Sequence, residues 1–223
     1  MIIFIIDTII MASINRTILS LAIVALFLGC QRTQVPPGYG VGLSVFCQEC
    51  ESIKAEEKPS QKEGFVMKVT VGGKETGADP LIERQIRDYL AEHNPESYNG
   101  GSVMQKAVYC DRVCESITIT SSSVLFGQDA GQDLSGYFSI YYSDNPYLID
   151  RDKNLIGVLE PGMSVKSFLS KKVRMLPDME LRLEASGESL NGITLTVRVI
   201  LEGGVTLQDV CETLSPLDFM SAR

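Results

Sequence analysis

The sequence predicts a mainly β protein: an antiparallel β-sandwich with one inserted α-helix and a second short helix. Apolar and polar residues alternate in several short segments, and Gly, Asn, Asp or Pro residues separate those segments. Successive side chains of a strand point to opposite faces, so this alternation predicts strands with one buried face. Several short strands joined by turns are typical of a sandwich.

Five segments before residue 186 carry this alternation. In the fourth of them, the alternation places Phe138, Ile140 and Tyr142 on the same face. We interpret the charged residues 51–64 and the polar residues 93–102 as loops. The alternating segments are VGLSVFC (41–47), FVMKVTV (65–71), SITIT (116–120), YFSIYY (137–142) and MELRLEA (179–185).

The clearest strand signal is a hairpin. Every second residue from 193 to 201 is Ile, Leu or Val, and the residues between them are mostly polar. Gly203 and Gly204 predict a two-residue turn, because glycine adopts the positive φ that such turns need. Val205 then begins the returning strand.

One helical pattern begins at Pro80. Asp79 is a suitable N-cap residue, and proline is favoured at the first position of a helix. Apolar residues at helical spacing, starting with Ile82 and Ile86, form a single stripe. A second short helix is predicted over residues 164–171 (SVKSFLSK).

Residues 1–29 have the composition of a secretory signal. Read from Met11, they give a short polar region with Arg16 and then an apolar stretch over residues 18–28. That stretch has about 11 residues, whereas a helix that spans a membrane needs about 20. We therefore predict a signal peptide over residues 1–29 and take Met11 as the true start.

The segment LFLGC (26–30) resembles the bacterial lipobox. In that motif the cysteine thiol receives a diacylglycerol and becomes the mature N-terminus, so the resemblance implies lipidation at Cys30. Phe27 stands where the lipobox usually has Leu. In lipoproteins of enteric type, Asp after the cysteine retains the protein at the inner membrane; Gln31 at that position implies the outer membrane.

This interpretation divides the chain into three parts: the signal peptide 1–29, the lipidated cysteine and a flexible tether over 30–40, and a single sandwich domain over 41–223. The net charge of −8 disfavours nucleic acid as a partner, since phosphate contacts need Lys and Arg. We expect the partners to be the membrane, contacted through the N-terminal lipid, and another envelope protein.

Two close pairs of cysteines are the candidates for a special role. Cys47 and Cys50 form a C-x-x-C motif, and Cys110 and Cys114 form a C-x₃-C motif. In an exported protein, disulfides among these four are the first interpretation. The alternatives are a zinc site on the same four residues, redox catalysis, or free buried thiols.

No sequence pattern is typical of an enzyme. His93 is the only histidine, and no G-x-S-x-G motif accompanies it. Residues 150–154 (DRDKN) resemble the start of a calcium loop, but Leu155 and Pro161 replace the Gly and Glu that it needs, so we interpret them as a hairpin turn. We predict no catalytic residue and no cofactor. Four tyrosines are candidates for an aromatic contact surface: Tyr137, Tyr141, Tyr142 and Tyr147.

Two segments resemble a known group of proteins: VYCDRVCESITITSSSVLFGQDAGQDLSGYF (108–138) and GITLTVRVILEGGVTL (192–207). They resemble small lipoproteins of unknown function from Gram-negative gut anaerobes, which combine a lipobox with an immunoglobulin-like β-sandwich. The resemblance implies an immunoglobulin-like fold and a location in the cell envelope, and it implies no active site.

The sequence thus predicts a lipid-anchored lipoprotein of the bacterial cell envelope, at the outer membrane. We expect its domain to be a non-enzymatic module for binding or assembly. The alternative is a metal- or thiol-dependent function at Cys47, Cys50, Cys110 and Cys114.

Overall fold

The computed structural model describes residues 43–58, 65–93, 105–184, 190 and 192–213. The predicted signal peptide, lipidation site and tether lie outside the described residues, as does most of the loop predicted after the first helix. The described residues form, in chain order, β1 (Leu43–Gln48), β2 (Ser52–Glu57), β3 (Val66–Gly72), β4 (Glu75–Ala78), α1 (Pro80–His93), β5 (Gln105–Cys110), β6 (Cys114–Ser121), a 3₁₀ turn (Ser135–Tyr137), β7 (Phe138–Tyr142), β8 (Tyr147–Ile149), β9 (Leu155–Val158), β10 (Met163–Ser164), α2 (Val165–Ser170), β11 (Asp178–Leu183), β12 (Thr194–Leu201) and β13 (Val205–Glu212).

Two antiparallel sheets contribute to the main core. One has the strand order β10-β7-β11-β3-β2, and the other has the order β13-β12-β6. Alternate residues face inward as the sequence predicts: Met67 and Val69 of β3, and Val197 and Val199 of β12, are at most 1% exposed. The predicted fold class, a mainly β antiparallel sandwich with an inserted helix and a second short helix, is confirmed.

The turn of the β12–β13 hairpin is one residue longer than predicted. Leu201 pairs with Val205, so the loop contains Glu202, Gly203 and Gly204. Both glycines have positive φ, 84° and 76°, which explains why glycine occupies these positions. Three-residue loops containing a left-handed residue are the next most common hairpin connection after two-residue turns.

Strand β2 lies inside the segment that we interpret from sequence as a loop, and that interpretation is wrong for Ser52–Glu57. Ile53 and Ala55 face the core at a period of two, while Lys54 faces solvent. The strand stands at the edge of its sheet, where charged side chains hinder pairing with another chain. The Ala55 N–H donates to Asp209 Oδ2 of β13 at 2.7 Å, which links the two sheets of the sandwich.

A third sheet has the order β4-β1-β5 and carries α1. β1 and β5 run parallel, an exception to the antiparallel pairing that the sequence predicts. Ile82 and Ile86 of α1 are at most 1% exposed and pack with Leu43 and Val45 of β1. The predicted helix and its apolar stripe are confirmed. Among the helices of the described residues, none is long and apolar enough to cross a membrane.

Asp79 joins the start of α1 to the third sheet. Its Oδ1 accepts hydrogen bonds from the N–H groups of Leu81 and Ile82, at 3.1 and 3.3 Å, as an N-cap does. Its Oδ2 accepts from the Tyr109 hydroxyl at 2.6 Å and from Lys153 Nζ at 3.0 Å. Burial alone would raise the pKa of Asp79, but the hydrogen bonds from Tyr109, Lys153 and Ile82 outweigh it and lower the pKa to about 2.

We expect Asp79→Ala to lower the free energy of unfolding by about 2 kcal/mol at pH 7, because the cap and the partner of a mostly buried tyrosine hydroxyl are both lost. A carboxylate with a lowered pKa stabilises the fold above its ordinary pKa, and that contribution is lost as the pH falls towards about 2. Urea unfolding should therefore show the effect of the substitution shrinking below about pH 4.

Asp79→Asn is the matched control, because asparagine keeps one oxygen as the cap acceptor but replaces the oxygen that accepts from Tyr109 and Lys153 by an uncharged NH2 group. It should be less destabilising than alanine at pH 7. Equal losses for the two variants would show that the N-cap hydrogen bonds of Asp79 contribute nothing to stability.

Candidate functional site

The described residues bring chemically reactive or charged side chains together in two places. The first, the cysteine cluster, comprises the four cysteines singled out in the sequence: Cys47, Cys50, Cys110 and Cys114. The second, the tyrosine groove, is an open depression of about 570 Å³ on the outward face of the five-stranded sheet. Its lining residues are Lys58, Lys68, Tyr141, Tyr142, Asp144, Pro161, Glu180 and Arg182.

The parallel pairing of β1 with β5 builds the cysteine cluster. Gln48, the last residue of β1, lies directly opposite Cys110, the last residue of β5. Asp111, which follows Cys110, donates its N–H to the Gln48 carbonyl at 2.9 Å. The chain then turns, and the Cys50 N–H donates to Asp111 Oδ1 at 3.1 Å. These contacts place Cys50 and Cys110 near each other, and the interaction with Cys50 is the largest cause of the raised pKa of Cys110.

The other two cysteines flank this pair. Cys47 is half-buried, and its interaction with Tyr109 contributes to the raised pKa of that hydroxyl, after burial and the hydrogen bond to Asp79. Cys114, at the start of β6, donates from Sγ to the Ser116 carbonyl at 3.8 Å and lies near Cys50. The structure thus gathers in one region the four residues that sequence spacing groups together.

The environment of the buried cysteines keeps their thiols protonated. The hydrogen bond with Cys50, followed by burial, raises the pKa of Cys110 well above its ordinary value. Burial raises the pKa of Cys114 to about 12, and it raises the pKa of Cys211, on β13, to about 11. The thiolate is the nucleophile and the metal ligand, so these thiols are poorly reactive near neutral pH.

All five described cysteines are free thiols in this structure. Disulfide pairing among Cys47, Cys50, Cys110 and Cys114 therefore stays a prediction. As to the zinc alternative, no group of three or more His, Cys, Asp or Glu residues in the described part of the chain is arranged to hold a metal ion.

A β-bulge shapes the tyrosine groove. Tyr142 of β7 pairs with Glu180 of β11, whereas Ile140 pairs with Leu181, so Tyr141 is an extra residue on β7. The alternation predicted from sequence fails here: Tyr142 is 50% exposed instead of facing inward with Ile140. The bulge is the physical reason, because one inserted residue reverses the faces of the residues that follow it.

The floor of the groove is a mixed-charge cluster around Glu180. The Glu180 side chain is only 7% exposed and forms an ion pair with Lys58. Arg182 Nη2 lies 4.0 Å from Glu180 Oε2, and its guanidinium carbon lies 4.3 Å from the centre of the Tyr141 ring. At the rim, the Tyr142 hydroxyl donates to Asp144 Oδ1 at 2.7 Å.

Sequence reasoning finds only the aromatic half of this groove. Tyr141 and Tyr142 lie there, whereas Tyr137 packs on the main core beside Phe126, and Tyr147 packs on the core of the third sheet. The charged half comes from strands far apart in the chain. Its one local signal is the polar alternation of MELRL (179–183), which places Glu180 and Arg182 together on the face opposite the core.

Comparison with known proteins assigns no role to either region. No protein-family model matches the chain, and no curated protein matches it.

Proposed function

We propose that this protein is a lipoprotein of the bacterial cell envelope, anchored by acyl chains at Cys30, whose β-sandwich is a non-enzymatic binding module. The observation that carries the binding role is the tyrosine groove, a depression lined by aromatic and charged side chains on the face of a sheet. The outer membrane is the proposed location.

The anchor is supported by the order of segments in the sequence. A polar start, an apolar stretch and LFLGC precede a segment rich in proline and glycine. Two or more acyl chains on one cysteine anchor a protein stably, because each buried methylene contributes about 0.8 kcal/mol. The chain has a net charge of −8, so the lipid rather than charge attraction would hold it at an anionic membrane.

The binding role is supported by the size and the position of the groove. Its volume of about 570 Å³ falls within the range of small-ligand sites, about 300–1,000 Å³. Most of its lining residues stand on or directly beside the strands β3, β7 and β11, and sites on strands hold their side chains more precisely than sites on loops.

A thiol-dependent function at the cysteine cluster is the second candidate. It is favoured by the proximity of Cys50 and Cys110, which interact strongly enough to raise the pKa of Cys110. The raised pKa values of Cys110 and Cys114 favour the binding module instead, because they suppress the reactive thiolates.

We expect the wild-type protein to incorporate radiolabelled palmitate and to sediment with membranes, and we expect Cys30→Ser to lose both properties. Cys47→Ser is the matched control, since it removes a half-buried thiol from the domain and leaves the lipobox intact. A wild-type protein without label, or equal labelling of Cys30→Ser, would overturn the proposed anchor.

A further inference from the structure

Basic side chains outnumber acidic ones in the tyrosine groove. Lys58, Lys68 and Arg182 line it, against Asp144 and Glu180. The whole chain carries a net charge of −8, so the groove has an excess of positive charge although the chain as a whole is negative. A site of this kind attracts anions more strongly than the rest of the surface does.

Arg182 has hydrogen-bonding capacity that the protein does not use. Its Nε is buried and has no hydrogen-bond partner among the described residues. Its Nη2 is 4.0 Å from Glu180, which is too long for a hydrogen bond. Stacking on Tyr141 fixes the plane of the guanidinium. Buried donors without acceptors are rare in native proteins, and an acceptor supplied by a ligand is one explanation for them.

Lys68 is a cation of the groove that has no ion-pair partner among the described residues. It lies on β3, between Glu180 of β11 and Glu56 of β2 in the strand register. Glu180 is already paired with Lys58, and Glu56 is paired with Lys54 at 2.6 Å. Lys68 itself forms no ion pair with another described residue. Lys68 and Arg182 both line the tyrosine groove, on the face of the sheet that carries Glu180.

We infer that the tyrosine groove binds an oxyanion, a carboxylate or a phosphate group, carried on a ligand with a flat face. Arg182 and Lys68 donate hydrogen bonds to the oxyanion, and Arg182 offers the planar fork that carboxylate and phosphate groups accept in pairs. The half-exposed ring of Tyr142 stands beside them as the surface for the flat face. This inference deepens the proposed binding function and rests on it.

Equilibrium dialysis of the full chain in neutral detergent tests the inference with three radiolabelled probes. Inorganic phosphate presents a phosphate alone, D-glucuronate presents a carboxylate on a ring, and D-glucose presents the ring without the charge. We expect glucuronate or phosphate to bind and glucose not to bind, and we expect the affinity to fall as ionic strength rises. The anion that binds with the higher affinity shows whether the groove prefers a phosphate or a carboxylate group.

Two variants test whether the anion binds in the groove. Arg182→Gln and Lys68→Gln should each weaken binding of the preferred anion about tenfold or more, the usual effect of losing a charge-assisted hydrogen bond. Lys166→Gln on α2 removes the same charge from an exposed position outside the groove, so it should leave the affinity unchanged. Circular dichroism checks that each variant is folded. If Arg182→Gln unfolds, the affinity of Lys68→Gln for the anion still tests the inference.

Absence of binding by both anions, or equal weakening by Lys166→Gln and Lys68→Gln, would overturn the inference. The result is separable from that of the anchor experiment. Palmitate labelling without anion binding overturns the ligand class and leaves the anchor, whereas anion binding without labelling overturns the anchor alone.

Discussion

Replacing Phe168 by alanine is expected to lower the free energy of unfolding by about 3–5 kcal/mol, the usual cost of removing a buried aromatic side chain. Phe168 is fully buried in the main core. It belongs to α2, a helix of six residues, which is too short to be stable by itself. Packing of Phe168 and Val165 into the sandwich therefore holds this helix in place.

Urea unfolding followed by circular dichroism measures this loss. Phe168→Leu should cost much less, since leucine fills most of the space. Leu81→Ala is the control for a truncation at the surface: Leu81 is 54% exposed, so its loss should stay within about 0.5 kcal/mol. A loss at Phe168 no larger than that at Leu81 would show that α2 does not pack into the core.

The same substitution has a consequence for the tyrosine groove. α2 follows directly on β10, and β10 pairs with Ile140 and Ser139 of β7. The residue before β10, Gly162, lies against the Tyr141 ring, where a Cβ would stand 3.7 Å from the ring. Loosening α2 should therefore disturb Tyr141 and weaken anion binding more than the loss of an exposed residue does.

Local signals made the hairpin and the helices predictable from sequence. In β12, Leu or Val at every second position, separated mostly by polar residues, specifies both the strand and its buried face. At α1 the order of Asp79 and Pro80 specifies the first turn, and Ile82 with Ile86 specifies the buried side. Each of these signals lies within a few residues of the structure that it determines.

Features that depend on distant partners were not predictable in this way. The sequence does not predict β2, because only Ile53 and Ala55 mark its buried face. The residues around them are mostly charged, which suits an edge strand. The parallel pairing of β1 with β5 spans a large part of the domain and leaves no local trace. The same holds for the tyrosine groove, since Lys68 and Glu180 meet only through the pairing of β3 with β11.

The grouping of the cysteines is an intermediate case. Close spacing identifies the two pairs, Cys47 with Cys50 and Cys110 with Cys114, but it does not show which members meet. The pairing of β1 with β5 supplies that information, because it sets Cys110 beside the end of β1 and hence beside Cys50.

A disulfide between Cys50 and Cys110 is expected to form in an oxidising compartment and to raise the free energy of unfolding by about 4 kcal/mol, since it closes a loop of about 60 residues. The two residues lie near each other, as the effect of Cys50 on the pKa of Cys110 shows, and both are buried, at 6% and 0% exposure. Formation joins the two sulfurs and passes two electrons and two protons to a disulfide-bearing oxidant such as oxidised glutathione. The raised pKa of Cys110 leaves little thiolate in the folded state, so we expect the bond to form during folding.

Alkylation of free thiols followed by mass spectrometry identifies the bond, and urea unfolding with and without reductant measures its effect. Reductant should destabilise the wild type but not a Cys50→Ser/Cys110→Ser variant. Cys211→Ser is the control, because Cys211 lies apart on β13 and its loss should leave the response to reductant intact. A bond between Cys47 and Cys50, or full alkylation of Cys110 in protein folded under oxidising conditions, would contradict the pairing. The expected bond uses the thiols of both Cys50 and Cys110. Detecting it would therefore leave neither thiol free for a thiol-dependent function, and it would strengthen the case for the groove as the functional site.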